Sequence, residues 1–186
     1  MLTLFAPALM LLQSASPQIE QPPSAGPSTP PPACSTELHS AFDFWVGEWE
    51  VFPTNSDRQV AESRIERLFS GCAIREHWMP FQGSEGGSTS LVNHKTGRWE
   101  QVWIGGDGVR VDFTGGVVDG NMVLSGYWDD IGGPGTDALV RMTYTVNEDG
   151  SVRQFGEASA DHGKTWQPSF DFLYRRKSTK SAEDSE

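Results

Sequence analysis

From Trp45 onward the apolar positions of this chain recur every second residue. Trp45, Gly47, Trp49 and Val51 fall on one face, with acids between them. That is strand periodicity with the large rings turned to one side. It predicts a first strand over residues 44–52, preceded by one helical turn at 35–41 and ended by Pro53-Thr54-Asn55-Ser56-Asp57. In a second strand, 59–69, Ser63, Ile65, Arg67 and Phe69 alternate with Arg64, Glu66 and Leu68. Ser70-Gly71 then turns the chain into a third, 72–79. Further short strands are predicted at 88–93, 98–104, 109–115, 122–127, 138–146, 151–159 and 165–176. Turn residues separate them, among them Gly83-Ser84-Glu85-Gly86-Gly87, His94-Lys95-Thr96-Gly97, Asp119-Gly120 and Glu148-Asp149-Gly150. Helix-period runs are nearly absent. An even-numbered meander of about ten strands predicts an all-β fold, a single antiparallel up-and-down barrel, because closure removes the edges an open sheet exposes.

The ends of the chain read differently. Residues 1–12 form a short apolar run followed by Ser14, Ala15 and Ser16, which reads as an export signal over 1–16 with an n-region that lacks Lys or Arg. Residues 17–34 are Pro- and Ser-rich, the composition of an extended linker. The barrel domain is expected over 35–176 and a disordered polar tail over 177–186. The expected location is therefore periplasmic or secreted, with no membrane insertion once the signal is removed, since no apolar run reaches the roughly 18 residues a span requires. A net charge of −11 repels phosphate backbones and argues against nucleic-acid binding. The two cysteines, Cys34 and Cys72, are expected to form a disulfide in an exported chain, with two free thiols as the alternative. No His stands at zinc-ligand spacing from them, so no metal site is expected.

Gly47-Glu48-Trp49 near the start, with Arg175 and Arg176 near the end, resembles the Gly-x-Trp and C-terminal Arg signature of calycins, the lipocalin and fatty-acid-binding group. Phe42-Asp43-Phe44-Trp45-Val46-Gly47-Glu48-Trp49, Gly71-Cys72-Ala73-Ile74-Arg75-Glu76-His77-Trp78 and Thr96-Gly97-Arg98-Trp99-Glu100-Gln101-Val102-Trp103 resemble a bacterial family of lipocalin-like domains. The resemblance spans about residues 34–176. It implies the fold and export but no activity. It also gives Trp45, Gly47, Trp49 and Arg175 structural roles at the closing seam, where an Arg can cover the Trp49 indole. Gly156 stands where relatives often carry an aromatic, which predicts a larger pocket here. Related barrels called nitrobindins hold haem through a late histidine; the last strand has none, so haem and other cofactors are not expected. Ser159-Ala160-Asp161-His162-Gly163-Lys164-Thr165-Trp166 resembles an Asp-box hairpin, with Asp161 accepting turn amides and Trp166 packing back.

The chemistry-bearing candidates are polar residues sharing strand faces with tryptophans. If Trp78 points inward, Glu76 does too; Gln101 lies between Trp99 and Trp103 in the same way. Arg141, Gln154 and Tyr174 are expected to join them around a small apolar or aromatic ligand. The competing reading is a filled interior in which these groups satisfy one another. No nucleophile elbow, phosphate loop or zinc-protease motif occurs. An enzyme using Glu76 as acid or base, and an envelope interaction module, are the alternative functions. Of the four histidines, His39 precedes the barrel, His94 and His162 sit in turns, and His77 is expected to face solvent. The pattern does not define an oligomeric state.

Overall fold

A computed structural model describes residues 33–178. Most of the predicted alternation becomes strand: β1 (Gly47–Pro53), β2 (Ala61–Leu68), β3 (Ala73–Pro80), β4 (Gly86–Asn93), β5 (Arg98–Gly105), β6 (Arg110–Val118), β7 (Asn121–Trp128), β8 (Ala138–Val146), β9 (Val152–Ser159) and β10 (Gln167–Arg176). Each pairs antiparallel with its sequence neighbours, and β1 pairs with β10 as well as β2, so the sheet closes into an up-and-down barrel. Closure gives the sheet one interior, and the period of two decides which residues enter it. Ala61, Ser63 and Ile65 of β2 turn inward, as do Ala138, Val140, Met142 and Tyr144 of β8. A slip of one residue in either strand would put this whole set in water, which is why the register is strongly specified.

The outer face is charged. Arg75 pairs with Glu66 (2.6 Å), Arg141 with Glu157 (2.8 Å) and Arg153 with Asp171 (2.7 Å). Among the described residues, no helix is long and apolar enough to cross a membrane.

One end of the barrel is stoppered by aromatic rings. Trp45 does not belong to β1, as the period of two predicted. It ends a 3₁₀ turn, Asp43–Trp45, that folds back across the opening. There it stacks on Phe42 with centroids 5.0 Å apart, while Phe42 meets Trp99 edge-on at 5.7 Å. The Trp49 indole N–H donates to the Trp45 carbonyl at 2.8 Å, which ties the turn to β1. Phe42, Trp45 and Trp49 are fully buried. Burial of such rings, about 150–250 Å² each, is the largest apolar contribution a small barrel can gather at one point.

Gly47 is required where the turn meets β1. Its φ is +150°, and a Cβ there would lie 2.6 Å from Arg176 Nη1. The Arg176 guanidinium lies 4.5 Å from the Trp49 ring and donates to the Val46 carbonyl at 3.3 Å. Thus Arg176, not Arg175, covers the indole. Arg176 shares its strand face with inward Tyr174, whereas Arg175 alternates outward, over the Phe52 ring at 4.5 Å and toward Asp57.

The entering segment is tied down twice. Cys34 and Cys72 form a disulfide with Cα atoms 5.0 Å apart, which links the approach to the short helix α1 (Glu37–Ser40) with the β2–β3 connection. Arg67 pairs with Asp43 and also donates to the Gly71 carbonyl. At the other terminus, pairing continues past the predicted boundary at 176. The Lys177 amide donates to the Glu48 carbonyl (2.9 Å), and its ammonium reaches Glu62 (2.8 Å). The predicted signal segment, most of the linker and the tail from 179 lie outside the described residues.

Candidate functional site

Above the aromatic stopper lies a layer of polar side chains, each set by strand parity. Glu76 follows inward Ile74 on β3 and is 6% exposed. Cross-strand pairing sets Ser88 opposite it on β4, Ser90 opposite Gln101, and Gln154 opposite Tyr144. The groups satisfy one another. Ser63 and Ser88 hydroxyls donate to the two Glu76 carboxylate oxygens at 3.2 and 3.1 Å. The Tyr174 hydroxyl lies 3.5 Å from Glu76 and donates to Gln154 Oε1 at 2.7 Å. Gln154 Nε2 donates to the Tyr144 hydroxyl at 2.9 Å, and Gln101 Nε2 to Ser90 at 3.0 Å.

This network is hydrogen-bonded but not charge-balanced. Burial pushes the Glu76 carboxyl from 4.5 up to about 7, against the opposing effect of the donors from Ser88, Ser63 and Tyr174. Desolvation of a charge explains the direction: hydroxyl dipoles offset only part of the lost hydration. The Tyr144 and Tyr174 hydroxyls are raised well above their ordinary value, first by burial and then by the nearby Glu76 charge, so both remain neutral.

Toward the open end the interior does not fill. A cavity of about 310 Å³ has Glu76, Gln101, Tyr144, Gln154 and Tyr174 at its polar base. Trp78, Trp103, Trp128, Phe170 and Phe172 form its upper walls, with Phe113 and Met142 completing the lining. The Trp78 ring lies 5.6 Å from Phe172 and 6.5 Å from Tyr174, and Phe170 stacks on Phe172 at 5.8 Å. A second hollow of about 440 Å³, lined by Arg58, Pro80 and Phe81 among others, shares Trp78 and Phe172 with the first. The first cavity is at the lower end of the roughly 300–1,000 Å³ typical of small-molecule sites. Both expectations for the interior therefore hold in part: the base is a self-satisfied polar layer and the space above it is open.

Of the residues singled out in the sequence, Glu76, Trp78, Gln101, Trp103, Gln154 and Tyr174 converge on this cavity. Trp99 does not. It points inward but lies deeper, 2% exposed against Phe42 in the stopper, because its place near the start of β5 is at the closed end. Arg141 does not either. It lies between inward Val140 and Met142, so it faces out, paired with Glu157 and 4.1 Å from the Trp166 ring. Gly156 does not enlarge the pocket, because the Phe170 ring lies where a Gly156 side chain would go. His77 is outward, with Nε2 3.4 Å from Glu85.

The Ser159–Trp166 hairpin has the geometry its residues imply. Asp161 accepts from the Thr165 amide (2.8 Å), the Thr165 hydroxyl (2.7 Å) and the Ser159 hydroxyl (2.7 Å). These donors, the Thr165 amide foremost, hold its carboxyl down at about 2. The Trp166 indole folds back to donate to the Gly163 carbonyl at 3.1 Å.

Sequence reasoning missed Ser63, Ser88, Tyr144, Phe113, Trp128, Met142, Phe170 and Phe172. Parity alone could have found several of them: Phe170 and Phe172 sit four and two residues before Tyr174, and Met142 two before Tyr144. No protein-family model matches the chain, and the search of curated proteins finds no match.

Proposed function

We propose that this protein binds a small, largely apolar or aromatic ligand inside the barrel. The observation that carries this reading is the 310 Å³ cavity, walled by aromatic rings and based on a hydrogen-bonded polar layer. The rings supply contact area at little entropic cost, and Gln101, Gln154 and the tyrosine hydroxyls orient whatever polar group the ligand carries. The Cys34–Cys72 disulfide supports a periplasmic or secreted location, since such bonds persist in oxidising compartments.

The test is titration of the protein with naphthol, followed by tryptophan emission and calorimetry. Saturable binding that disappears in the cavity-filling Met142→Trp variant is the expected result. If neither method detects binding, and native mass spectrometry of protein purified from its own envelope carries no added mass, the reading fails.

A second reading has one observation in its favour. A carboxyl that titrates near neutrality beside an open cavity is suited to proton transfer. In that case Glu76 is an acid–base group and the cavity holds a substrate. Glu76→Gln separates the two: an enzyme loses turnover and keeps binding, whereas a binding protein has no turnover to lose.

A further inference from the structure

The cavity base holds a carboxyl group, Glu76, with no positive partner. Glu76 is surrounded by Ser63 on β2, Ser88 on β4, Tyr144 on β8, Gln154 on β9 and Tyr174 on β10, and among the described residues no Lys, Arg or His lines the cavity. The cations on the strands beside it are engaged elsewhere: Arg64 and Arg75 with Glu66, Arg67 with Asp43, and His77 with Glu85. Buried charges are normally paired. The Ser63 and Ser88 hydroxyls donate to the Glu76 oxygens, while the Tyr174 hydroxyl proton goes to Gln154. An ionised carboxylate offers about four acceptor positions, so acceptor capacity remains for a donor from the cavity side.

The walls around that position are π-faces. Trp78 follows Glu76 by two residues on the same strand face, and Tyr174 approaches both, with its hydroxyl 3.5 Å from the carboxylate and its ring 6.5 Å from Trp78. A carboxylate beneath aromatic rings meets both requirements of an organic ammonium: a counter-charge, and ring faces for the rest of its charge. An anionic ligand would instead bring a second negative charge beside Glu76. The net charge of −11 also favours the approach of cations.

We infer that the ligand class is a small primary amine carrying an aromatic or compact apolar group. Its ammonium engages Glu76 beneath Trp78 and Tyr174, and its apolar part lies between Trp103, Trp128, Phe170 and Phe172. This rests on the cavity being a ligand site and adds which charge the site selects.

The test uses three probes of matched shape, phenethylamine, phenethyl alcohol and hydrocinnamate, titrated calorimetrically into the full chain at pH 8. The amine is expected to bind roughly tenfold or more tighter than the alcohol, and the acid to bind weakest. Glu76→Gln, checked for native circular dichroism, should bring the amine down to the affinity of the alcohol. Amine affinity should fall below about pH 7, where Glu76 takes up a proton while an amine with a pKa near about 10 stays charged. Equal affinities for amine and alcohol, or preference for the acid, would overturn the inference and leave the cavity reading standing. Failure of all three probes together with naphthol removes both. The wild-type comparison decides the matter even if the variant does not fold.

Discussion

Glu76 makes the barrel less stable as its own carboxyl ionises, and the size of that effect follows from its surroundings. In the unfolded chain the group titrates at its ordinary 4.5; inside the barrel, burial moves it to about 7. Below 4.5 both states carry the proton, and stability is at its fullest. Between those values the folded state retains a proton that the unfolded chain has released, so stability falls as pH rises. Above about 7 the loss is complete, at about 3 kcal/mol, taking about 1.4 kcal/mol per tenfold. That is a large part of the roughly 5–15 kcal/mol by which domains are stable. The perturbation is Glu76→Gln, which keeps the shape and can still meet the Ser63, Ser88 and Tyr174 hydroxyls. The assay is urea unfolding of oxidised protein from about pH 4 to 9, with wild type compared to variant at each pH. Asp161, Asp171 and the outer-face carboxylates are common to both proteins and cancel in the difference. Tyr144 and Tyr174 are raised well above their ordinary value and stay protonated throughout. Wild-type stability relative to the variant should fall by about 3 kcal/mol between about pH 4.5 and 7.5 and then level off. A difference that is flat across this range would refute the reasoning, because it would mean that Glu76 has an ordinary titration despite its burial.

Reduction of Cys34–Cys72, or its replacement by serines, should lower unfolding stability by about 4 kcal/mol on the chain-entropy account of a loop this long, measured by urea midpoint with and without reductant. Gly47→Ala should destabilise by about 1–3 kcal/mol, since it strains φ at +150° and displaces Arg176. Arg176→Ala, which loses the contact over Trp49 and the hydrogen bond to the Val46 carbonyl but strains no backbone, should shift the thermal midpoint less. Asp161→Ala should speed hydrogen exchange at the Thr165 amide, which loses its acceptor, while amides of β1 and β2 keep their protection. In wild type this hairpin should hold until pH falls through about 2, because a lowered carboxyl stabilises above its unfolded value and is lost below its folded one. Phe170→Ala should enlarge the cavity and move ligand preference toward bulkier rings, which binding of a size series of aromatic amines would read.

The barrel was legible because a closed sheet has one buried face, so every strand displays its inward set as a period of two. Ten strands emerge in the predicted order, and turn residues such as Asp119-Gly120 mark their ends. Trp45 marks where the rule overreaches. Its spacing from Gly47 and Trp49 continues the strand period, yet the Asp43–Trp45 turn brings the ring to the same interior by another route. Spacing alone cannot separate these, since both bury the ring. Of the two arginines expected at the seam, Arg176 covers the indole because the strand alternates and only Arg176 shares the face of Tyr174.

For the site, parity gives the face of a residue but not its height in the barrel. Trp99 and Trp103 share one face of β5, yet Trp99 packs into the stopper while Trp103 borders the cavity. Height depends on how neighbouring strands are staggered around the barrel, which no single strand encodes. It also depends on which end the N-terminal turn closes, a long-range matter decided by Phe42 and Trp45 together with the Cys34–Cys72 link. Arg141 was readable after all, because its cross-strand partner is Glu157 and an outward Arg–Glu pair needs no counter-charge in the interior. The same reasoning isolates Glu76. Arg64, Arg75, Arg141 and Arg153 all meet a carboxylate on the outer face. Glu76 alone among the cavity residues brings a carboxylate to the interior, and what it meets there is hydroxyls and rings. A barrel that only needed filling would place an apolar side chain at that height, as it does with Ile65 beside it. Keeping an ionisable group there lowers stability above neutral pH, and a cationic ligand would reverse that cost.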